Sequence, residues 1–176
     1  YEPHLDVLFE RNIRQGRLHL TTDLASIDLY TGDTKRFSAL VTDTLAPSIA
    51  FEANTYTLNV KRAGDGATLL TGSYALAKDQ NYTAVVWGRE TALRVSTLPE
   101  NENTGDIAAG NTRVRFFNAT TDTGAVDVFI TPTAADLGET SATQGNLTSG
   151  SLSGFRDLSQ GTYRLRVTGV GDPNDL

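Results

Sequence analysis

Cysteine and methionine are absent from the 176-residue chain, and histidine occurs only twice. Without cysteine there is neither a disulfide framework nor a thiolate zinc site, although this absence is compatible with any cellular compartment. A hydrolase triad needs a histidine that reaches both a nucleophile and a carboxylate. His4 lies in a charged terminal segment, and strand alternation places His19 on a polar face beside Arg17. We interpret both as solvated side chains and predict no catalytic residue and no enzyme.

Clusters of basic residues and long apolar runs are missing as well. The chain has 15 Lys and Arg residues against 21 Asp and Glu residues, for a formal net charge of −6. Because neutralising phosphates requires clustered cations, and these are scattered, the sequence argues against a nucleic-acid partner. No window approaches the roughly 18 consecutive apolar residues of a membrane-spanning helix. The chain begins with Tyr1 and shows no signal-peptide pattern, which we interpret as a mature form whose leader has been removed.

Turn-forming residues between short apolar runs are what the sequence has in abundance. Sixteen Gly residues, with many Thr, Asn, Asp and Ser residues, separate these runs and favour an all-β protein. The one short helical period, at 133–139, is expected to be a single turn within a loop. Period-two alternation predicts strands at 17–20, 26–30, 56–60, 69–76, 82–88, 92–98, 112–119, 125–130 and 162–167.

An internal repeat relates these strands to one another. "TRVRFFNA" echoes "GRLHLTTD", "AVDVFI" echoes "SIDLYT", and "TYRLRV" echoes "TYTLNV", with shifts in spacing that loop insertions explain. The extra residues lie in 131–157, a long loop or polar edge hairpin. The repeat predicts two tandem antiparallel β-sandwich domains, at 13–99 and 112–176, joined by an acidic linker at 100–111.

The second sandwich is expected to be incomplete at its C-terminus. Counterparts of the strands between 69 and 98 are missing after residue 170, so we expect a piece of a longer protein or a segment that fills the gap. The N-terminal segment 1–12 contains "LDVLF", which has no place in the first repeat. It is predicted to add a strand to the second sandwich, either in the same chain or in a strand-exchange dimer.

Three tyrosines stand at the head of alternating strands, after a turn. Tyr56, Tyr82 and Tyr163 occur in "ANTYTLNV", "DQNYTAVV" and "QGTYRLRV". This arrangement is typical of the tyrosine corner, in which the ring packs into the core and the hydroxyl bonds to upstream main chain. The alternative is that tyrosine simply suits the half-buried start of a strand.

Alternation also divides the strand residues between core and surface. Asp28 and Asp127 recur at equivalent outward positions, where a cross-strand ion pair with Arg17, Arg113 or Arg115 accounts for them. Trp87 is expected to pack in the core or at an edge, with a sugar-stacking role as the alternative. The predicted core consists of Leu18, Leu20, Ile27, Leu29, Leu58, Val60, Val85, Val114, Phe116, Val126, Val128, Leu165 and Val167.

Two acid-rich stretches raise the question of calcium. Residues 100–106 and 171–176 are dense in Asp, Asn and Glu, whose oxygens suit this cation. Neither stretch has the spacing of a twelve-residue calcium loop, so we interpret them as linker and turn. No metal or cofactor is predicted.

The repeated motifs, taken in order, resemble the bacterial family called domain of unknown function 4397. The match to its "R-hydrophobic-R-hydrophobic-hydrophobic-N-A", "VDVY" and "aGTYtl-V" pattern is carried by 113–119, 126–129 and 161–167. The first repeat matches through "SIDLY" and "NTYTLNV", but "LTTD" replaces the Asn-Ala step. The resemblance covers 17–99 and 112–176.

This resemblance implies exported or surface-anchored bacterial proteins, often lipoproteins, with Ig-like or transthyretin-like sandwiches. It implies no catalytic residues, because the family has no established activity to transfer. We therefore expect a non-enzymatic cell-envelope or secreted module with a structural, adhesive or assembly role. The alternative is a carbohydrate- or peptide-binding module that uses a sheet face or the loop at 131–157. Its partners would be proteins or glycans at the cell surface.

Overall fold

The computed structural model describes residues 6–10, 17–21, 23–100 and 105–172, with the backbone alone described for 6–10 and 17–20. These residues are all-β, which confirms the predicted class, and the one short helical turn, Leu137–Glu139, lies inside the predicted 133–139. No helix among them is long and apolar enough to cross a membrane. The strands are β1 (Asp6–Glu10), β2 (Arg17–Thr21), β3 (Ser26–Thr31), β4 (Thr34–Val41), β5 (Leu45–Ala46), β6 (Asn54–Arg62), β7 (Thr68–Leu76), β8 (Tyr82–Arg89), β9 (Ala92–Pro99), β10 (Asn111–Phe117), β11 (Val126–Thr131), β12 (Gln144–Leu147), β13 (Arg156–Ser159) and β14 (Arg164–Gly169).

The chain divides into two compact units. The first unit is Ile13–Thr104, and the second unit combines Tyr1–Asn12 with Gly105–Leu176. Each of the nine predicted strands overlaps an observed one, whereas β4, β5, β12 and β13 were not predicted from alternation. These four strands complete the sheets of the two units.

The first unit contains two four-stranded sheets, with strand orders β5-β2-β8-β9 and β4-β3-β6-β7. All neighbours pair antiparallel except β2 and β8, which run parallel. Alternation turns one face of each sheet toward a shared cluster of buried side chains. That cluster draws on both sheets and contains Leu24, Ile27, Leu29, Val60, Val86 and Leu93.

The second unit contains two three-stranded sheets, with strand orders β1-β10-β13 and β12-β11-β14. β1 pairs antiparallel with β10 of the same chain, from Asp6 opposite Phe117 to Glu10 opposite Arg113. Taken in chain order, strands β10 to β14 of the second unit correspond to strands β2 to β6 of the first. β1 occupies the place beside β10 that β8 occupies beside β2. The direction differs, because β1 is antiparallel to β10 whereas β8 is parallel to β2. The buried cluster of this unit consists of Val114, Phe116, Val126, Val128 and Leu147.

Most of the predicted core is confirmed. Leu165 is the exception, because it is 42% exposed. Val167 is half-buried, and the side chains of Leu18 and Leu20 lie outside the described residues. The confirmed members are Ile27, Leu29, Leu58, Val60, Val85, Val114, Phe116, Val126 and Val128.

The prediction that Asp28 faces solvent is wrong, since the residue is only 7% exposed. The Lys35 side chain and the Ala39 amide, both on β4, contact its carboxylate. A cross-strand ion pair does form, but its partner is Lys35 on β4, with 2.6 Å between Nζ and Oδ2. Burial tends to raise the pKa of Asp28, and hydrogen bonds from Lys35 and the Ala39 amide outweigh it, so the pKa lies below its ordinary value.

Of the three arginines predicted to pair with these aspartates, the Arg17 side chain lies outside the described residues, and Arg113 and Arg115 contact other groups. Arg113 is buried and forms a two-pronged ion pair with Asp157 on β13, with Nε–Oδ1 and Nη2–Oδ2 distances of 2.5 and 2.9 Å. The Arg113 hydrogen bond lowers the pKa of Asp157 below its usual range. Arg115 is 1% exposed and its guanidinium lies 4.6 Å from the centre of the Phe155 ring. Asp157 and Phe155 thus contact the two arginine side chains of β10.

The recurring aspartates instead hold equivalent β-bulges in the two units. Asp28 Oδ1 accepts a hydrogen bond of 2.8 Å from the Ala39 amide, and Asp127 Oδ1 accepts one of 2.7 Å from the Asn146 amide. Both amide donors have a left-handed backbone with φ of 51°. The strand register shifts at each site, opposite β3 and opposite β11. One acidic side chain therefore fixes the extra residue of the neighbouring strand in each unit.

The tyrosine hydroxyls bond to upstream main chain, as predicted. The Tyr56 and Tyr163 hydroxyls donate to the carbonyls of Glu52 and Ser159, at 3.1 and 2.9 Å. The Tyr82 hydroxyl accepts from the Ala77 amide at 3.4 Å. Tyr163 is 36% exposed, so the expectation that its ring lies in the core is wrong.

Removing either corner hydroxyl is expected to cost about 1 kcal/mol, the net value of a typical intramolecular hydrogen bond. Tyr56→Phe and Tyr163→Phe leave the ring in place and free one carbonyl each. Urea denaturation of the full chain measures the change. Tyr74→Phe is the matched control, because the described residues give its hydroxyl no hydrogen-bond partner, and its expected effect is near zero. Equal effects for all three variants would contradict the corner assignment.

Candidate functional site

A pocket opens at one end of the first unit, between the ends of its two sheets. Its outer part measures about 280 Å³ and lies between the segment 48–51 and the turn 77–81 that joins β7 to β8. A smaller recess of about 40 Å³ continues between β6, β7 and β8. The two parts share Phe51, Leu76, Ala84 and Thr97. We call this space the aromatic pocket, after the lining residues Phe51, Tyr56, Tyr74 and Tyr82.

The aromatic side chains of the pocket contact one another. The Phe51 and Tyr56 rings meet edge to face, with centroids 5.0 Å apart and an interplanar angle of 62°. Tyr56 lies directly opposite Tyr74 across the β6–β7 pair. Aromatic rings at this spacing attract one another beyond the area they bury. The segment 48–51, which forms no strand, is thereby attached to the sheet through Phe51.

A close approach at Gly72 allows the Tyr74 ring to reach the pocket. A Cβ atom at Gly72 would lie 2.8 Å from the Tyr74 ring and hydroxyl, which no real side chain tolerates. Glycine at this position of β7 therefore lets Tyr74 fold back along its own strand. Burial raises the pKa of the Tyr74 hydroxyl above its ordinary value.

The rim of the pocket is polar. The turn 77–81 contributes Asp79, Gln80 and Asn81, and the opposite side contributes Ser48. Asp79 has a left-handed backbone with φ of 57°, which aspartate tolerates better than most residues. The Tyr82 hydroxyl closes the turn through the Ala77 amide.

The Arg36 side chain lies near the pocket, on its Phe51 side. The Arg36 guanidinium is 5.2 Å from the centre of the Phe51 ring, and its Nε donates to Thr31 Oγ1 at 2.6 Å. The lining thus offers ring faces, hydroxyls, amides and one carboxylate. These groups can stack against a ring and hydrogen-bond its substituents.

The residues considered from the sequence do not meet at this site. His4 and the His19 side chain lie outside the described residues. Trp87 is 2% exposed, and its indole N–H donates to Ser96 Oγ at 3.0 Å. The Arg94 guanidinium lies 5.0 Å from the Trp87 ring centre. The core or edge position predicted for Trp87 is confirmed, and the sugar-stacking alternative is wrong because no ring face is exposed.

The acid-rich stretches lie partly outside the described residues, which exclude 101–104 and 173–176. Within the part of the chain that the structure describes, no three carboxylates or histidines approach closely enough to hold a metal ion. No sequence signal marked the aromatic pocket, because its four aromatic residues come from three strands and a loop. Only the Thr-Tyr motif at Tyr56 and the Tyr82 turn pointed to individual members.

The loop at 131–157 is ordered by its own hydrogen bonds. Asp136 caps the short turn by accepting from the Gly138 amide at 2.9 Å, and the Ile130 amide donates to Thr143 Oγ1 at 2.8 Å. Its residues 144–147 form β12, an edge strand. Of the two descriptions considered from the sequence, the polar edge hairpin is therefore correct for this part, because β12 pairs antiparallel with β11.

The family model described as Domain of unknown function (DUF4397) matches residues 17–129. The chain belongs to this family. The DUF4397 match begins at β2, covers all strands from β2 to β10, and ends within β11. It is one continuous stretch, whereas the sequence resemblance was drawn over 17–99 and 112–176. No curated protein and no solved structure matches the chain.

Proposed function

We propose that the chain is a non-enzymatic module of the cell envelope or of a secreted protein, in which two tandem β-sandwich units serve a structural or assembly role. The observation that carries this proposal is that the same side-chain hydrogen bonds stabilise both units. Each unit fixes a bulge with an aspartate and the start of a strand with a tyrosine. Duplicated rigid units are typical of proteins that span distance or present surfaces.

The facing sheets support the sandwich part of the proposal. In each unit, side chains from both sheets share one buried cluster. The strand orders β4-β3-β6 and β12-β11-β14 correspond in chain order. Location at the cell surface, including a lipoprotein form, rests on the sequence resemblance.

Proteolysis of intact cells of the source organism tests the location. The Lys78 side chain is 85% exposed in the turn 77–81, which makes it a suitable site for trypsin. Peptides ending at Lys78 are expected to be released from intact cells or from protein in the medium, and to be identified by mass spectrometry. Ribosomal peptides serve as the control for lysis. Release of both only after lysis would contradict an envelope or secreted location.

A second candidate function is binding of a small saccharide in the aromatic pocket. Ring faces beside a rim of amide and carboxylate groups suit a molecule that is apolar on one face and rich in hydroxyls at its edge. A glycan array with the full chain is the test, and Phe51→Ala is expected to weaken any hit at least tenfold. Leu45→Ala, an exposed apolar residue outside the pocket lining, is the matched control. Equal saccharide binding by the Phe51→Ala and Leu45→Ala variants would exclude the aromatic pocket as the binding site.

A further inference from the structure

The tripeptide Asn-x-Thr, in which x is not proline, occurs three times in the chain. It is the acceptor pattern for N-linked glycans, which require a surface position in an exported protein. A glycosyltransferase that reads this pattern has to reach both the asparagine amide and the threonine hydroxyl. Exposure therefore decides which copy a folded chain can present. The three copies begin at Asn81, Asn118 and Asn146.

Asn118 is part of the folded framework of the second unit. It is 0% exposed, and its side-chain nitrogen donates to the carbonyls of Leu147 and Gly124 at 2.9 and 3.3 Å. Its side-chain oxygen accepts from the amide and the hydroxyl of Thr120 at 2.9 and 2.6 Å. These hydrogen bonds attach the loop that follows β10 to the end of β12. A glycan on the Asn118 nitrogen would disrupt them, so this copy is not an acceptor in the folded chain.

Asn81 is exposed in the turn 77–81, but the threonine of its copy is not. Thr83 lies within β8, is 8% exposed, and donates its hydroxyl to the Glu100 carboxylate. The folded chain thus presents the asparagine of this copy while its threonine hydroxyl is bound within the first unit.

Asn146 and Thr148 are both exposed, and the residue between them, Leu147, is buried. Asn146 is the residue of β12 with a left-handed backbone, and its backbone amide donates to Asp127 at 2.7 Å. The buried leucine and the bond to Asp127 fix the main chain, so the asparagine side chain has a defined place on the surface. The equivalent bulge of the first unit carries Ala39, so this acceptor pattern belongs to the second unit.

We propose that Asn146 is the attachment site of an N-linked glycan, with Thr148 as the second residue that the transferase recognises. The donor is of the class in which an oligosaccharide is joined through its anomeric carbon to a lipid diphosphate. The side-chain nitrogen of Asn146 attacks the anomeric carbon, and the bond from that carbon to the diphosphate oxygen breaks. The lipid diphosphate leaves with the electron pair, and the nitrogen gives one proton to a base of the transferase. The inference rests on the proposed cell-envelope or secreted location and adds a modification to it.

Mass spectrometry of the full chain, purified from the source organism, tests the site. Cleavage after Glu139 and Arg156, by a glutamate-specific protease with trypsin, releases 140–156, which contains Asn146 and neither of the other two copies. This peptide is expected to carry the added mass of a glycan. Electron-transfer dissociation breaks the backbone and keeps the sugar attached, and it should place that mass on Asn146. The peptides that contain the other two copies are expected at their unmodified masses.

Three variants expressed in the same organism separate the acceptor pattern from the local structure. Thr148→Ala keeps Asn146 and removes the hydroxyl, so the glycan is expected to be lost. Thr148→Ser restores the hydroxyl and should restore the glycan. Ser151→Ala is the matched control, because the Thr148 and Ser151 hydroxyl oxygens lie 2.5 Å apart and this substitution removes the same contact without changing the pattern. It should carry the glycan as the wild type does.

Several results would overturn the inference. An unmodified peptide 140–156, a sugar on a serine or threonine of that peptide, or a glycan at Asn81 in place of Asn146 would each do so. Loss of the glycan in Ser151→Ala as well as in Thr148→Ala would do so too, since the contact between the two hydroxyls would then explain both. An unmodified peptide from protein that trypsin cleaves on intact cells contradicts this inference alone. Protein that trypsin reaches only after lysis contradicts the proposed location, so the two failures are distinguishable.

Discussion

Replacing Phe116 with alanine is expected to lower the free energy of unfolding by about 4 kcal/mol. Phe116 is 0% exposed and belongs to the buried cluster of the second unit with Val114, Val126 and Val128. The loss has two parts, the transfer of the ring from water and the cavity left among neighbours that relax only partly. Because native domains are stable by only about 5–15 kcal/mol, this substitution removes a large share of the stability.

Urea denaturation followed by far-ultraviolet circular dichroism measures this effect. The one tryptophan, Trp87, lies in the first unit, so its fluorescence follows that unit and does not replace the dichroism signal. Leu165→Ala is the matched control on β14, and its expected cost is below about 0.5 kcal/mol, as for most surface substitutions. If Phe116→Ala does not fold, Phe116→Leu, with an expected cost of about 1 kcal/mol, keeps the test decisive. A smaller loss for either Phe116 variant than for Leu165→Ala would contradict the assigned core.

The strands that follow strict alternation could be predicted from the sequence, because a period of two places every second residue on one face. β3, β6 and β11 are examples, and their inward residues are buried. β4 escaped prediction for a physical reason. Its partly buried residues Phe37 and Leu40 are three apart, and Ala39 between them has a left-handed backbone. The bulge adds one residue and breaks the period that alternation detects.

Neighbouring strands decide burial, and a single sequence does not reveal them. Leu58 and Leu165 occupy the same position in the same motif, yet Leu58 is 8% exposed and Leu165 is 42% exposed. Strand β7 lies beside Leu58. Alternation predicts which face of β3 carries Asp28, but it does not reveal that Lys35 and the Ala39 amide on β4 contact the carboxylate there. The aromatic pocket is a further case, since Phe51 and Tyr82 are far apart along the chain and meet only through the sheet order.

Replacing Asp28 with alanine is expected to lower the free energy of unfolding by about 2 kcal/mol, because two hydrogen bonds to a charged group are lost. The Lys35 amine and the Ala39 amide both donate to this carboxylate. Each donor belongs to a side chain or residue that water can reach, which limits the loss. Trp87 fluorescence in urea follows the affected unit. Ser38→Ala, an exposed neighbour on β4, is the control and should change stability by less than about 0.5 kcal/mol.

The stabilisation by Asp28 should also depend on pH. The folded-state pKa of Asp28 lies below its ordinary value near 3.8, so the unfolded chain takes up the proton first as pH falls. The contribution is therefore complete above about pH 5 and is lost as the pH falls through the folded-state pKa. Asp28→Asn retains the shape without the charge, and its stability should fall less between pH 5 and pH 3 than that of the wild type. Asp157 and Asp65, whose pKa values are also lowered, are present in both proteins and do not contribute to the difference. Parallel curves for the two proteins would contradict the assignment.

The bulge itself is tested by combining Asp28→Ala with Ala39→Gly. Alanine in a left-handed conformation costs about 1 kcal/mol relative to glycine, so Ala39→Gly is expected to stabilise the wild type by that amount. If the Asp28 carboxylate holds Ala39 in this conformation, β4 is free to relax once the carboxylate is gone. The gain from glycine should then fall to near zero in the Asp28→Ala background. An unchanged gain would mean that the sheet imposes the bulge without Asp28. Asn146, at the equivalent position of the second unit, tolerates the same φ better than alanine, so Asn146→Gly should gain less than Ala39→Gly.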